Sequence, residues 1–366
     1  MKMLVALFKR AGFMVSWLVL GCWLPGLFLV GQASNIVPVG GGLQLCAPDV
    51  IQGQQEAITK TRPEPDPNKY AVIISGASGE PAYAKLFDKW TADLHEALTQ
   101  KLGFAPSHVR VLTEHQGENK LSATAESIKE TFATLRDKLN FESVVFIFLI
   151  GHGSFDGKEA KFNLVGRDLS AVDYSNLISS LPARRIVILN MASASGEFIK
   201  PLAAKGRIVV TATRNGQEQN ATRFAEFFIS ALNATDADTD QDGHVSVWEA
   251  FSYAQRLTAE FYARAGRLAT EHSLFDDNGD GVGHDKVEGG DGLLARATYL
   301  DSFSMAEAAA NAATAKLMRE RARLESEIEQ LIARKKELPE AEYESMLEKL
   351  FIELAKINRA IRQIGS

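Results

Sequence analysis

The sequence has only two cysteines in 366 residues, Cys22 and Cys46. Cys22 lies inside an apolar N-terminal stretch, so removal of that stretch leaves Cys46 alone. A framework of intramolecular disulfides is therefore excluded for a chain processed in this way. An apolar core has to hold the fold instead. Apolar residues make up 46% of the chain and charged residues 23%, which is enough for one sizeable core or two modest ones.

The sequence also lacks an excess of positive charge. The formal net charge is −6, and three of the cations lie at the extreme N-terminus, so a processed chain is more negative still. Proteins that bind nucleic acid neutralise phosphates with clustered lysine and arginine. A nucleic-acid partner is therefore not expected.

The N-terminus has the pattern of a targeting segment. Three cations precede an uncharged apolar stretch, residues 13–31, and small residues follow at 31–33. This pattern predicts a secretory signal peptide over residues 1–33 and export to the periplasm or the cell exterior. The apolar stretch is also long enough to span a bilayer, so an uncleaved signal-anchor, the one route to the membrane, is the alternative.

The rest of the chain divides by composition. Residues 34–68 are rich in glycine and proline and are predicted to form a linker. Apolar runs then occur at 70–76, 108–113, 144–151, 185–190 and 207–213. Helix-like stretches lie between them at 82–102, 123–139, 174–181 and 221–232. Short β-branched runs separated by helices predict an α/β domain over residues 69–300, with a mostly parallel sheet covered on both faces.

Two predicted strands end in residues suited to chemistry. Catalytic groups collect at the carboxyl ends of such strands. His152 lies between two glycines directly after the most apolar run, and Ser193 and Ser195 follow the run that ends at Asn190. A structural histidine and a serine helix N-cap are the alternative interpretations. The glycines allow close backbone approach and favour a functional His152.

The stretch from Tyr70 to about Ala250 resembles the caspase and legumain superfamily of cysteine peptidases, in particular its legumain-type branch. The resemblance rests on a first strand that ends in a Gly-rich turn, a strand that ends in His-Gly-Ser, the segment 162–178 and the sequence Ala-Ser-Ala-Ser-Gly at 192–196. In that family the last pattern reads Ala-Cys-x-Ser-Gly. The resemblance implies a three-layer caspase-like sandwich and activity on peptides.

The sequence departs from that family at the decisive positions. Ser193 stands in the place of the cysteine nucleophile, and Ser78 stands where legumains often have an asparagine that orients the histidine. An imidazole can hold a thiol as thiolate, whereas a serine hydroxyl must lose its proton during attack, usually beside a histidine that a buried carboxylate orients. No such carboxylate is identifiable in the sequence. We therefore expect a catalytically impaired homologue that binds a peptide or protein ligand.

The alternative is an active hydrolase. In that case His152 is the general base, Ser193 is the nucleophile, and the backbone N–H of Gly153 forms part of an oxyanion hole. Both alternatives use the same three residues and differ only in whether the serine reacts.

An acidic stretch, residues 238–249, matches the twelve-residue calcium loop. The predicted ligands are Asp238, Asp240, Asp242, the backbone carbonyl of His244, Ser246 and Glu249. Calcium takes roughly six to eight oxygen ligands, and this spacing folds them around one point. The pattern predicts a structural Ca²⁺ site, and an Asp/Gly turn before a helix is the alternative.

A second acidic stretch, residues 276–288, repeats the first half of that motif. It offers Asp276, Asn278 and Asp280, but its twelfth position is Val287 and Glu288 comes one place late. The pattern therefore predicts a weaker site.

Residues 301–366 change character and predict two helices. One apolar seam consists of Leu317, Leu324, Ile328 and Leu331, and a second of Leu347, Leu350, Leu354, Ile357 and Ile361. Seams with this spacing predict an antiparallel helical hairpin or a coiled coil. Packing of the two helices on each other is one interpretation, and self-association or a protein partner through residues 304–362 is the other. A third hypothesis for the whole protein is a calcium-stabilised envelope scaffold that acts through these helices.

Overall fold

The computed structural model describes residues 65–115, 117, 120–241, 243–301, nine residues within 316–331, and 338–365. The predicted signal peptide, most of the predicted linker and Asp242 lie outside the described residues. All described residues belong to one compact unit, Thr59–Ser366. Within the part of the chain that is described, no helix is both long enough and apolar enough to cross a membrane.

The described strands form two sheets. In chain order they are β1 (Lys69–Ser75), β2 (Val109–Thr113), β3 (Leu121–Ser122), β4 (Val144–Ile150), β5 (Gly153–Phe155), β6 (Ala160–Phe162), β7 (Leu169–Ser170), β8 (Arg185–Asn190), β9 (Arg207–Thr211) and β10 (Leu274–Asp276). The large sheet has the order β10-β9-β8-β4-β1-β2-β3, and all its neighbours are parallel except β10 and β9. Strands β5, β6 and β7 form a small antiparallel sheet. The predicted mostly parallel sheet is confirmed.

The strands are continuously apolar because both faces of the large sheet are covered. Ala71 and Ile73 of β1 point into one core, and Val72 and Ile74 point into the other. Successive side chains of a strand point to opposite faces, so the middle of a doubly covered strand is apolar, and the buried polar residues of β1 lie at its two ends, Lys69 and Ser75.

Helices cover both faces. In chain order they are α1 (Pro81–Glu96), α2 (Ala125–Arg136), α3 (Ala171–Ser179), α4 (Ile199–Leu202), α5 (Phe224–Ala231), α6 (Val247–Arg264), α7 (Leu293–Arg296) and α8 (Glu340–Gly365). Helices α1, α5 and α6 pack on the face that carries Ile73, and α2, α3 and α4 pack on the other. Thr124, Ser170 and Ser246 cap the starts of α2, α3 and α6 with their side-chain oxygens.

The C-terminal part contains the predicted helix, α8, and further helical residues within 316–331. The predicted seams face inward: Leu324 is fully buried, and Ile361 is 5% exposed. Ile361 packs with Leu317, Ile357 and Tyr299. The apolar seams of the tail are therefore used, at least in part, to dock on the segment that follows α7.

Candidate functional site

The two strand ends singled out in the sequence meet in the fold. Strands β4 and β8 are parallel neighbours, with Leu149 opposite Asn190. The chain segments that leave their carboxyl ends therefore start side by side. These segments contain Gly153 and Ser193, which contact each other.

Ser193 is held by the backbone of Gly153. Its Oγ accepts a hydrogen bond from the Gly153 N–H at 3.0 Å and donates one to the Gly153 carbonyl, also at 3.0 Å. Only 2% of Ser193 is exposed. A Cβ at position 153 would lie 2.3 Å from the Ser193 carbonyl oxygen, so this approach requires glycine. The predicted nucleophile and the predicted oxyanion donor thus satisfy each other.

His152 lies beside this pair in an aromatic setting. Its ring is edge-on to Tyr83 and Phe87, with centroids 4.7 and 5.1 Å away. Burial lowers the pKa of His152, and a hydrogen bond with the backbone of Ser78 partly opposes this. The lowered pKa favours the neutral imidazole. Among the described residues, no hydrogen bond joins it to Ser193.

Ser78, which follows β1, is itself held by a carboxylate. Both its N–H and its Oγ donate to Glu114 Oε2, at 3.2 and 2.6 Å. Glu114 follows β2, the strand next to β1 in the sheet. The carboxylate therefore reaches His152 only through the backbone of Ser78. Sequence reasoning missed Glu114, although an acid directly after a strand was a signal that could have found it.

Ser195 anchors the turn and is not placed to react. It is fully buried, and its Oγ accepts the backbone N–H groups of Ala212 at 3.1 Å and of Thr213 at 3.2 Å. Ala194, between the two serines, has a left-handed backbone with φ of 52°. The Ala194 N–H is bound by the carbonyl of Glu218 at 2.8 Å. These bonds tie the Ser193 turn to the segment that follows β9 and make it rigid.

The first acidic loop brings three carboxylates together. Ligand atoms of Asp238, Asp240 and Glu249 all lie within 4.8 Å of one another. Asp238 also accepts the N–H of Gly243 at 2.9 Å, which closes the first half of the loop. Three converging carboxylates form a group that could hold a metal ion.

Glu249 is oriented by the start of α6. Ser246 caps this helix, and Glu249 Oε2 accepts both the N–H and the Oγ of Ser246, at 2.9 and 2.8 Å. The other oxygen, Oε1, accepts the N–H of Thr239 at 2.9 Å. The capping box fixes Glu249, the twelfth residue of the loop, at the start of α6, and the bond to Thr239 joins Glu249 to the beginning of the loop.

His244 contributes to the outside of the same loop. Its Nδ1 lies 2.7 Å from a carboxylate oxygen of Asp301, and its ring is 5.8 Å from that of Tyr299. The imidazole is therefore engaged with Asp301, and the predicted role of the His244 backbone carbonyl as a ligand stays a prediction.

The second acidic loop arranges its oxygens differently. Asp276 accepts the N–H groups of Gly279 and Gly281, both at 2.7 Å. Asp280 accepts the N–H of Val282 at 2.8 Å, and Asn278 accepts that of Asp280 at 2.7 Å. The side-chain oxygens of Asp276, Asn278 and Asp280 therefore accept hydrogen bonds from backbone N–H groups of their own loop.

Another acid closes the second loop. Glu288 is exposed and forms an ion pair with Lys286. Asp291 is fully buried instead and accepts the N–H groups of Asp277 and Asn278 at 2.8 and 3.0 Å. Its second oxygen lies 2.7 Å from His284 Nδ1. Sequence reasoning missed Asp291, since it falls outside the twelve-residue motif.

Comparisons with known proteins give little further information. No family model and no curated protein matches the chain. Among solved structures, the chain is similar to the crystal structure of protein GSU0716 from Geobacter sulfurreducens, at 11% sequence identity and a TM-score of 0.38. The match covers 58% of this chain and 93% of the other.

Proposed function

We propose that this protein is a legumain-type peptidase homologue with a caspase-like fold that binds a peptide or protein ligand and hydrolyses it weakly or not at all. The observation that carries the proposal is the pair of hydrogen bonds between Ser193 Oγ and the backbone of Gly153. The resemblance of residues 70–250 to the family supplies the ligand class.

The geometry opposes a serine mechanism at two points. For attack, the Ser193 hydroxyl has to donate to His152, but it donates to the Gly153 carbonyl. For stabilisation of the developing oxyanion, the Gly153 N–H has to face the substrate, but it is bound to Ser193 Oγ. Both groups must break a hydrogen bond before they can act.

Within the described part of the chain, His152 also lacks the directly bonded carboxylate that a general base in a serine triad has. A serine triad places a carboxylate directly on the imidazole, where it stabilises the imidazolium that forms during attack. Here Glu114 accepts a hydrogen bond from Ser78 Oγ and reaches His152 only through the backbone of Ser78, and the charge of Glu80 is a smaller influence that raises the pKa of His152. A thiol at position 193 needs less help, because it ionises more readily than a hydroxyl.

Labelling with an electrophilic acyl probe tests the proposal. The full chain, Ser193→Ala and Ser193→Cys are incubated with the probe, and bound label is located by peptide mass spectrometry. We expect label on the cysteine variant at position 193 and none there on the other two proteins. Label on parent Ser193 that Ser193→Ala removes would show an active serine hydrolase.

We also propose that the loop 238–249 binds Ca²⁺ in a structural role. Support comes from the spacing of the motif and from the convergence of Asp238, Asp240 and Glu249. A bound ion would neutralise carboxylates that otherwise repel one another. Calcium titration by calorimetry, with Asp238→Asn as the site-disrupting variant, tests this. Absence of calcium-dependent heat in the parent would refute it.

From the sequence we also propose that the protein is exported and that its C-terminal helices bind a protein partner or a second copy of the chain. Exposed apolar side chains of α8 support a partner through residues 304–362, since Met346, Phe351 and Ile352 are 41%, 50% and 47% exposed. Exposed apolar side chains grouped on one helix favour an interaction surface. Sedimentation of the full chain, compared with a variant carrying Phe351→Ser and Ile352→Ser, tests self-association. Equal sedimentation of a monomer in both would exclude it.

A further inference from the structure

The C-terminal helix places a buried amide against the first acidic loop. Asn358 of α8 is 4% exposed, and its Nδ2 donates a hydrogen bond to the backbone carbonyl of Asp240 at 3.4 Å. Its Oδ1 is buried and has no hydrogen-bond partner among the described residues. Buried polar atoms are nearly always paired, so an unpaired one points to a further ligand such as an ion. Both atoms belong to one amide group, and the unpaired oxygen therefore lies at the same loop.

The chemistry of this oxygen favours a cation as its partner. An amide oxygen can only accept a hydrogen bond or bind a metal ion. The loop beside it presents the ionised carboxylates of Asp238, Asp240 and Glu249, which are also acceptors and which converge within 4.8 Å. Arg321 pairs with Asp240, and a single guanidinium charge does not balance three carboxylates that repel one another. One divalent ion would serve both the carboxylates and the amide oxygen.

The junction of the loop and α8 has room for such an ion. A cavity of about 240 Å³ lies there, and Asp240 and Glu249 of the loop line it together with Phe351 and Leu354 of α8 and other residues. Leu354 and Asn358 are four residues apart, so they lie on the same face of the helix. The amide of Asn358 is therefore on the helix face that borders the cavity.

The loop also leaves a place in the coordination sphere. Ser246 is the predicted ligand at the ninth position, but its hydroxyl is engaged at the start of α6. It donates to Glu249 Oε2 at 2.8 Å and accepts the Glu249 N–H at 3.2 Å. Calcium takes about six to eight oxygens, and the ninth position of such loops often acts only through water. An oxygen from outside the loop can therefore complete the set of ligands.

We infer that Asn358 Oδ1 is a further ligand of the ion held by Asp238, Asp240 and Glu249, so that calcium fastens α8 to the acidic loop. The inference rests on the calcium site proposed above and adds to it a ligand from a distant helix. Because the amide reaches the ion only when α8 is docked, calcium binding and docking of α8 strengthen each other by the same factor.

Calcium affinity is the first measurement. Calorimetric titration with CaCl₂ compares the full chain with Asn358→Leu, which removes both polar atoms at similar volume, and with Asn358→Asp, which keeps an oxygen ligand. We expect Asn358→Leu to bind calcium about tenfold more weakly than the parent, as for a typical coupling between sites. Asn358→Asp should bind calcium at least as tightly as the parent. Ser345→Ala, at an exposed serine of the same helix, is the control and should match the parent.

Hydrogen exchange is the second measurement. Mass spectrometry follows the amides of α8 in the parent with and without CaCl₂, and amides of α1 serve as the reference. We expect calcium to slow exchange in α8 by up to about tenfold and to leave α1 unchanged. Asn358→Leu, saturated with calcium, should lose this slowing. Asp238→Asn, which lacks a ligand of the loop, should show no slowing either.

The outcomes separate this inference from the calcium site itself. Equal calcium affinity of the parent and Asn358→Leu, or exchange in α8 that calcium does not slow, would overturn the role of Asn358 and leave the calcium site intact. Equal weakening in Asn358→Leu and Asn358→Asp would assign the side chain to packing alone and would also overturn it. Absence of calcium binding in every protein would overturn both proposals.

Discussion

The two acidic loops, residues 238–249 and 276–288, share the spacing of a calcium motif but neutralise their oxygens in different ways. In the second loop, backbone N–H groups and a buried Asp291 satisfy the polar atoms. In the first, three carboxylates converge, and a cation from a distant part of the chain pairs with one of them. Backbone N–H groups bind carboxylates in both loops, so the comparison teaches that the first loop differs in the convergence of three carboxylates and in the pairing of one of them with a residue distant in sequence.

The largest effect should come from removing the acid that fixes the second loop. Asp291→Ala leaves two backbone N–H groups and His284 without their partner in a buried setting, and should lower the free energy of unfolding by about 3 kcal/mol. Urea denaturation measures this. Asp285→Ala, an exposed acid of the same loop, should change it by less than about 0.5 kcal/mol. Equal effects of the two variants would contradict the role of Asp291 in fixing the second loop.

Calcium should stabilise through the first loop alone. At free calcium about a hundredfold above its Kd, the parent should gain about 2.7 kcal/mol in the free energy of unfolding. Denaturation with and without calcium measures the gain. Asp238→Asn should abolish this gain in stability. Asp280→Asn, at the fifth position of the second loop, should keep the gain. The reverse pattern would move the site to the second loop.

The second loop should carry a pH dependence of its own. Burial raises the pKa of Asp277 from 3.8 to about 6. Because the folded state then holds the proton more tightly, the stability from this group is full below pH 3.8 and is lost as the pH rises through 6. Between roughly pH 4 and pH 6, the parent should lose about 2 kcal/mol relative to Asp277→Asn. Denaturation series across this range check the slope. A parent slope equal to that of Asp277→Asn would contradict it.

The smallest effect concerns the cap of the first loop. Ser246→Ala removes the acceptor for the Glu249 N–H and should cost about 1 kcal/mol of stability. It should also weaken calcium binding, because Glu249 loses its orientation over the loop. Thermal unfolding and calorimetry measure both. Ser154→Ala, at an exposed serine, is the control and should leave both values near those of the parent.

Most of the sheet followed from the sequence, since its strands are runs that both faces of the sheet bury. The runs at 70–76, 144–151 and 185–190 became β1, β4 and β8 almost without shift. The antiparallel edge strand β10 was not predicted, because three residues of Leu-Phe-Asp carry no periodic signal. The predicted C-terminal helix and the predicted acidic group at 238–249 were also found.

The candidate sites were predicted as lists of residues, and their contacts were not. Glu114 and Asp291 are close in space to groups that are distant in sequence, so a local motif does not include them. Arg321 was one of many charges on a predicted helix surface, and it became important only through its burial against Asp240.

The sequence by itself determined the chain order of the five strands β1, β2, β4, β8 and β9 and placed Ser193 just after the run that ends at Asn190, because periodicity and motifs are local properties of the chain. Tertiary structure alone decided which groups satisfy one another. Segments far apart in sequence come close in the fold. Their distances decide that the hydroxyl of Ser193 donates a hydrogen bond to Gly153 rather than to His152, and that Asp240 forms an ion pair with Arg321. Hydrogen bonds and ion pairs act only at such short distances, and only the packed fold sets them.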